Sequence, residues 1–174
     1  MNFISLSFFS ILLAFFLLMF GYIISDFSNL NVFNNSHSSK PLLYKITGVW
    51  GNHEGSMLLW ILVLTLFNYL IYKLHNNKNS NFIFKTLEIQ SYITTGFLAF
   101  TIFTSNPFKK MVSVEENGLG FNPILQDPAL AIHPPILYLG YVGSSISFSS
   151  SLAATSLNNI SKAVSYTHLT LPTK

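Results

Sequence analysis

The chain has 174 residues, of which 50% are hydrophobic and 9% are charged, and it contains no cysteine. Soluble domains carry about 25% charged residues, so this chain has too few to cover a water-facing surface, and an integral membrane protein is predicted. The absence of cysteine excludes disulfides and a thiolate metal site. The net charge of +3, without a long basic run, argues against nucleic acid as a partner.

The first predicted element is a transmembrane helix over residues 3–24. These residues carry no charge, and at about 1.5 Å per residue they span a hydrocarbon core of about 30 Å. A cleaved signal peptide is disfavoured, because the start lacks a positive segment and no small-x-small cleavage site follows.

Three further spans are predicted, at residues 56–72, 86–104 and 135–157. The last is rich in glycine and serine at three- and four-residue intervals, a pattern that suits close packing between helices in lipid. The expected fold is therefore an all-helical integral membrane protein, with about four transmembrane helices and two long outer-face loops.

The lysines predict the orientation of these spans. Residues 73–85 hold three lysines and no acidic residue, whereas the longer segments 25–55 and 105–134 hold two lysines each. The positive-inside rule then places 73–85 inside and both longer segments on the outer face.

The outer segment 105–134 is rich in proline, which predicts an ordered, non-helical connection. Pro134 is expected to hold His133 in an extended conformation, and the fourth helix is expected to begin at Pro134 and Pro135. His133 would then lie at the positive end of a helix dipole, which favours the neutral imidazole that ligates metals. The alternative is an interfacial histidine that hydrogen-bonds a backbone carbonyl.

The stretch WGNHEGSMLLW, residues 50–60, admits two interpretations. A zinc protease signature is excluded, because position 57 is not histidine. In the structural interpretation Asn52 caps a helix and Glu54 lies in its first turn. In the functional interpretation His53, Glu54, Trp50 and Trp60 line a site for a planar aromatic ligand.

Three long stretches resemble one known family. WGNHEGSMLLW, FTSNPF at 103–108 and NPILQDPALAIHPPILYLGYVG at 122–143 are similar, in order and spacing, to the CcmF family of cytochrome c maturation proteins. The resemblance extends from about residue 3 to residue 154 and implies a component of a haem lyase, which joins haem to CxxCH cysteines of apocytochrome c on the outer face. It also implies that His133, in HPP, is an axial ligand of haem iron, with Trp50, His53 and Glu54 in a family signature near the same face.

The implied partners are membrane lipid, apocytochrome c and other maturation subunits, including a haem chaperone. The implied location is the mitochondrial inner membrane, with the bacterial inner membrane as the alternative, and the functional loops face the intermembrane space or periplasm. Haem would supply reactive vinyl groups, and the protein would supply their position.

The tryptophan-rich segment and further histidines of the CcmF family lie outside this sequence. We therefore interpret residues 1–163 as the amino-terminal membrane region of a CcmF-like protein, with incomplete lyase activity by itself. Residues 164–174 resemble a translated cloning adaptor, so they are expected to be non-native. The rival interpretation is a non-catalytic scaffold or transporter subunit of a respiratory assembly. A transporter is expected to place ionisable residues near the bilayer midplane, and the predicted spans place none there.

Overall fold

The computed structural model describes residues 2–75, 81–113, 115–120 and 127–157. Within them the chain forms helices joined by turns and irregular segments, with one isolated bridge between Asn29 and Lys110. The helices are α1 (Phe3–Ile24), α2 (Leu30–Asn35), α3 (Leu42–Gly48), α4 (His53–His75), α5 (Asn81–Thr104) and α6 (Pro128–Ser156).

Helix α4 is the centre of the bundle, since α1, α5 and α6 all pack against it. The shared core is built from large apolar side chains of α1 and α4, such as Phe15, Leu18 and Leu64, with Val142 from α6. The opposite face of α1 exposes Phe16 and other large apolar residues. This distribution is that of a helix that faces lipid on one side.

Two helices, Phe3–Ile24 and His53–Leu74, are long and apolar enough to cross a membrane. They correspond to the first two predicted spans, and α4 extends beyond the predicted range of 56–72 at both ends. Helix α5 contains the predicted range 86–104 and begins earlier, at Asn81. The all-helical prediction is confirmed for the described residues, while the count of four spans stays a prediction.

The two segments predicted to share a face are joined by backbone hydrogen bonds. Leu30 N–H donates to the carbonyl of Lys109 at 2.9 Å, and Leu119 N–H donates to the carbonyl of Phe33 at 2.8 Å. Gly118 lies between these contacts and approaches the backbone so closely that a Cβ there would lie 2.1 Å from the carbonyl oxygen of Ser36. Residues 25–52, 105–113 and 115–120 thus form one layer over one end of the bundle, which we call the capped end.

The predicted start of the fourth helix was wrong. Helix α6 begins at Pro128, so Pro134 and Pro135 lie inside it and His133 is helical instead of extended. The physical reason is Asp127, whose Oδ1 accepts a hydrogen bond of 2.7 Å from the N–H of Ala129. An aspartate cap followed by proline is a favourable helix start. The helix dipole acts mainly on groups in the first turn, so it does not favour the neutral imidazole of His133, the sixth residue of α6.

Two other calls lie partly or wholly outside the described residues. The proposed non-native tail, 164–174, belongs to the part of the chain that the structure does not describe. The predicted outer segment 105–134 is irregular where it is described before α6, and helical from Pro128.

Candidate functional site

The histidine-bearing segments meet at the capped end. His53 begins α4, and its Nε2 lies 2.9 Å from Oγ of Ser105, the residue that follows α5. Trp50 Nε1 donates a hydrogen bond of 2.8 Å to the carbonyl of Ala131 in the first turn of α6. WGNHEGS and the HPP segment therefore lie at the same end of the helices, while the assignment of that end to the outer face of the membrane stays a prediction.

The Trp50 indole compensates for a hydrogen bond that α6 cannot make. In an α-helix the N–H of residue 135 would donate to the carbonyl of residue 131, and proline has no N–H. The indole N–H of Trp50 occupies that acceptor instead. The ring also stacks on Phe15, with centroids 6.3 Å apart and an interplanar angle of 12°. Trp50 therefore joins α1, α4 and the proline-containing part of α6.

Asn52 caps α4, as the structural interpretation of WGNHEGS predicted. Its Oδ1 accepts a hydrogen bond of 2.9 Å from Gly55 N–H, and its Nδ2 donates to the carbonyl of Gly48 at 2.8 Å. Gly55 is required here, since a Cβ would lie 1.6 Å from the carbonyl oxygen of Val49. Glu54 lies in the first turn, where an acidic side chain is favourable.

A hydrogen-bonded cluster connects this cap to α1 and α2. The hydroxyl of buried Tyr22 donates to Asn31 Oδ1 at 2.7 Å and accepts from Asn52 Nδ2 at 3.0 Å. Asn31 Nδ2 donates to Asn52 Oδ1 at 2.8 Å and to Glu54 Oε2 at 3.2 Å. Buried polar groups that satisfy one another in this way hold a single arrangement. The cluster fixes α2 to the start of α4.

Glu54 faces a small polar cavity of about 160 Å³. Its walls include Asn31, Asn34, Asn106 and Lys109, all from the layer at the capped end. Lys109 and Glu54 face the same space without an ion pair between them among the described residues.

His53 lies at the edge of a different, larger groove of about 550 Å³ between α4 and α5. The groove is aromatic and apolar, with Met57, Phe97 and Phe100 among its walls. The His53 ring meets Phe100 edge to face, with centroids 6.4 Å apart. One polar side chain at the edge of an apolar groove is a common arrangement in ligand sites.

His133 lies on an exposed face of α6, beside a shallow surface groove of about 540 Å³ whose described lining residues all belong to α6. Ile136, Leu137 and Tyr141 line that groove, and Gly140 leaves open space in it, since a Cβ there would meet no atom within 4 Å. No described group hydrogen-bonds to the imidazole, so its nitrogens are available to a ligand. The alternative of a bond to a backbone carbonyl is not realised among the described residues.

The four residues of the functional interpretation of WGNHEGS do not line one site. Trp50 contacts Phe15 and α6, Glu54 faces the small polar cavity, and His53 borders the α4/α5 groove. Trp60 packs between Phe97 and Tyr138, with ring centroids at 5.6 Å and 5.3 Å. Trp50, Asn52 and Glu54 thus have structural roles, and the two histidines are the exposed groups.

Sequence reasoning gave no role to Lys40, which is buried in the layer at the capped end. Its side chain is 7% exposed, and its Nζ donates to the carbonyl of Asn35 at 3.1 Å. Burial, and to a lesser extent the positive charge of Lys45, lower the pKa of Lys40 from 10.5 to about 8. A polar, Ser- and Asn-rich stretch gives no hydropathy signal that a lysine in it is buried.

Comparison with known proteins decides the family. The sequence model of the family described as cytochrome C assembly protein matches residues 50–172, which begin at Trp50. The chain belongs to this family. The resemblance found in the three sequence stretches is thereby confirmed, and the family's membrane character agrees with the two apolar helices.

Two curated relatives of this chain are bacterial proteins. The cytochrome c-type biogenesis protein CycK of Rhizobium meliloti (strain 1021) is 52% identical over 141 residues, which are 81% of this chain and 21% of the relative. The cytochrome c-type biogenesis protein CcmF of Escherichia coli (strain K12) is 37% identical over 150 residues, 86% of this chain and 23% of the relative. This chain therefore spans about a fifth of the length of these relatives. No solved structure matches it.

The residues matched by the cytochrome C assembly family include the main side chains of the candidate site. The match begins at the residue that joins α4 to the proline-containing part of α6, and it includes both exposed histidines. Asp127 and Pro128 mark the start of α6 in the sequence. The prediction missed them because it placed the helix start at the later prolines, Pro134 and Pro135.

Proposed function

We propose that the chain acts in cytochrome c-type biogenesis as a membrane component that holds haem at the capped end, with His133 as an axial ligand of the haem iron. The observation that carries this proposal is the exposed His133 imidazole, which no described group engages, above an apolar groove. The apolar side chains that line the groove suit the hydrophobic face of a porphyrin.

The residues present fit such a ligand. A neutral imidazole is a usual axial ligand of haem iron. Gly140, two turns after His133, leaves the face of α6 flat where a side chain would otherwise project. The hydrogen bond from Trp50 to Ala131 holds the turn that carries His133 against α4.

Haem, as the cargo of this process, would supply the vinyl groups that react with cysteine thiols of apocytochrome c. The chain's own residues would bind and orient the ring, so that both vinyl groups are presented to the incoming peptide in one geometry. Such positioning converts an encounter in solution into a reaction between held groups. The proposed partners are apocytochrome c, a haem chaperone and the remaining maturation subunits.

We further propose a mitochondrial or bacterial inner membrane as the location, with the capped end toward the intermembrane space or periplasm. The lysines of the 73–85 segment support this orientation. By itself this region holds and orients haem, and the bond-forming activity requires the rest of the assembly.

The test is His133→Ala in the complete assembly. We expect loss of haem from the purified protein, and partial recovery of bound haem and of its absorption spectrum when free imidazole is added. His37→Ala is the matched control, since His37 is also at the capped end but its Nδ1 contacts Ser39 Oγ at 2.8 Å. An unchanged haem spectrum in His133→Ala, together with normal cytochrome c levels, would refute the assignment.

A further inference from the structure

A second polar site lies at the other end of the bundle, away from the capped end. It is a cavity of about 250 Å³ between the start of α1 and the middle of α4 and α5. Helices α1 and α5 both pack on α4 without an extensive interface with each other, and this leaves a groove between them. Asn68 of α4 lines the cavity, with Phe3, Ile4, Ser7, Ser91, Thr94, Thr95 and Leu98.

Asn68 has an oxygen that hydrogen-bonds to no described group. The side chain is 6% exposed, and its Oδ1 is buried without a partner. Its orientation is determined by Thr94. The Thr94 hydroxyl donates its single proton to the carbonyl of Gln90 at 2.8 Å, so it can only accept from Asn68. Asn68 Nδ2 therefore faces Thr94 at 3.1 Å, and Oδ1 is left as an acceptor without a donor among the described residues.

Two other hydroxyls around the cavity are also acceptors. Ser91 and Thr95 donate their protons to backbone carbonyls of α5 at 2.7 Å and 2.8 Å, which leaves only lone pairs for an occupant. None of the described residues that line the cavity is charged. Such a site favours an uncharged donor, because a cation in an apolar environment needs a counter-charge.

The size of the site and the length of the relatives identify the occupant. The cavity is several times larger than the roughly 30 Å³ share of one water molecule. This chain spans about a fifth of the length of its curated relatives, so most of a full-length family member lies beyond it. Ser91 and Thr95, one turn apart, present the small side chains that allow close approach of another helix in lipid.

We propose that this cavity receives an uncharged hydrogen-bond donor, a hydroxyl, indole or amide side chain, from a further transmembrane helix of the assembly. That helix lies in the groove between α1 and α5, and its donor pairs with Asn68 Oδ1. The site is a docking surface on the opposite end from His133, so its test is independent of haem binding.

The experiment replaces Leu98, which lines the cavity, with a diazirine analogue of leucine that has nearly the same shape. The complete assembly is irradiated in its own membrane, and the adducts of residue 98 are sequenced. The same analogue at Leu17, 57% exposed on α1, is the control for a lipid-facing position. We expect residue 98 to join a peptide from an apolar segment that carries a donor side chain, and Leu17 to join lipid.

Asn68→Leu should lower the yield of that peptide adduct about threefold, the factor that corresponds to about 0.6 kcal/mol for an interhelical hydrogen bond. Thr65→Val is the matched control, since the buried Thr65 hydroxyl bonds only to carbonyls of its own helix. If Asn68→Leu fails to accumulate in membranes, Thr94→Val repeats the test by removing the group that orients the amide. Lipid adducts alone, water insertion alone, no adduct, or an unchanged peptide yield would each overturn the proposal.

Discussion

Replacing Trp50 with phenylalanine removes the indole donor that occupies the Ala131 carbonyl, where Pro135 cannot supply an N–H. A carbonyl left without its partner in a packed environment costs about 1–3 kcal/mol. We therefore expect Trp50→Phe to lower the free energy of unfolding by about that amount, plus a smaller loss from the reduced stacking on Phe15.

A double-mutant cycle separates the hydrogen bond from the packing. Pro135→Ala restores an N–H that can donate to Ala131 within α6. In that background the packing loss of Trp50→Phe remains, while the unsatisfied carbonyl does not. The loss of unfolding free energy caused by Trp50→Phe should be smaller by about 1 kcal/mol or more in the Pro135→Ala background. A coupling of this size is found for residues that share a partner.

The assay is denaturant unfolding of the purified protein in detergent, followed by circular dichroism. Trp60→Phe is the size-matched control, because the Trp60 indole makes no hydrogen bond to a described group. It should show no coupling with Pro135→Ala. An equal cost of Trp50→Phe in both backgrounds would refute the idea that the indole replaces the missing proline N–H.

Three further outcomes are expected. Gly55→Ala should prevent stable folding, because its Cβ would overlap the carbonyl oxygen of Val49. Gly96→Ala, whose Cβ would have no atom within 4 Å, should be neutral or slightly stabilising. Thermal unfolding compares the two variants. Because burial lowers the pKa of Lys40 to about 8, the unfolded chain binds more protons between about pH 8 and 10.5, so stability should rise over that window and the rise should vanish in Lys40→Met. Asn29→Ala removes both the α2 cap and the bond to the 105–120 segment, and hydrogen exchange at the capped end should accelerate in that variant, whereas unchanged protection would contradict the pairing of the two segments.

The residues of WGNHEGS divide into a hydrogen-bonded set and one exposed histidine. Trp50, Asn52 and Glu54 all form hydrogen bonds within the protein. Their presence at the start of an apolar helix is therefore explained without a ligand. His53 differs, since its contact with Ser105 leaves it exposed beside an aromatic groove. His133 is exposed beside an apolar groove and has no hydrogen-bond partner among the described residues.

The sequence by itself determined the membrane class, the all-helical architecture and the approximate positions of α1, α4 and α5. These follow from local properties, since an apolar run of sufficient length has to satisfy its backbone polar groups internally and does so as a helix. The cap at Asn52 was predictable for the same reason, because the residues that form it are three positions apart.

Only the tertiary structure decided what Trp50 and Asn68 do. Trp50 bonds a carbonyl 81 residues away, and Asn68 is oriented by a hydroxyl 26 residues away. Neither hydrogen bond can be read from the sequence, because both depend on how the helices pack and on which acceptors that packing leaves for Trp50 and Asn68. The start of α6 lies between the two cases. Asp127 and Pro128 signalled it locally, but only a donor from the turn before α4 shows how α6 continues through Pro135.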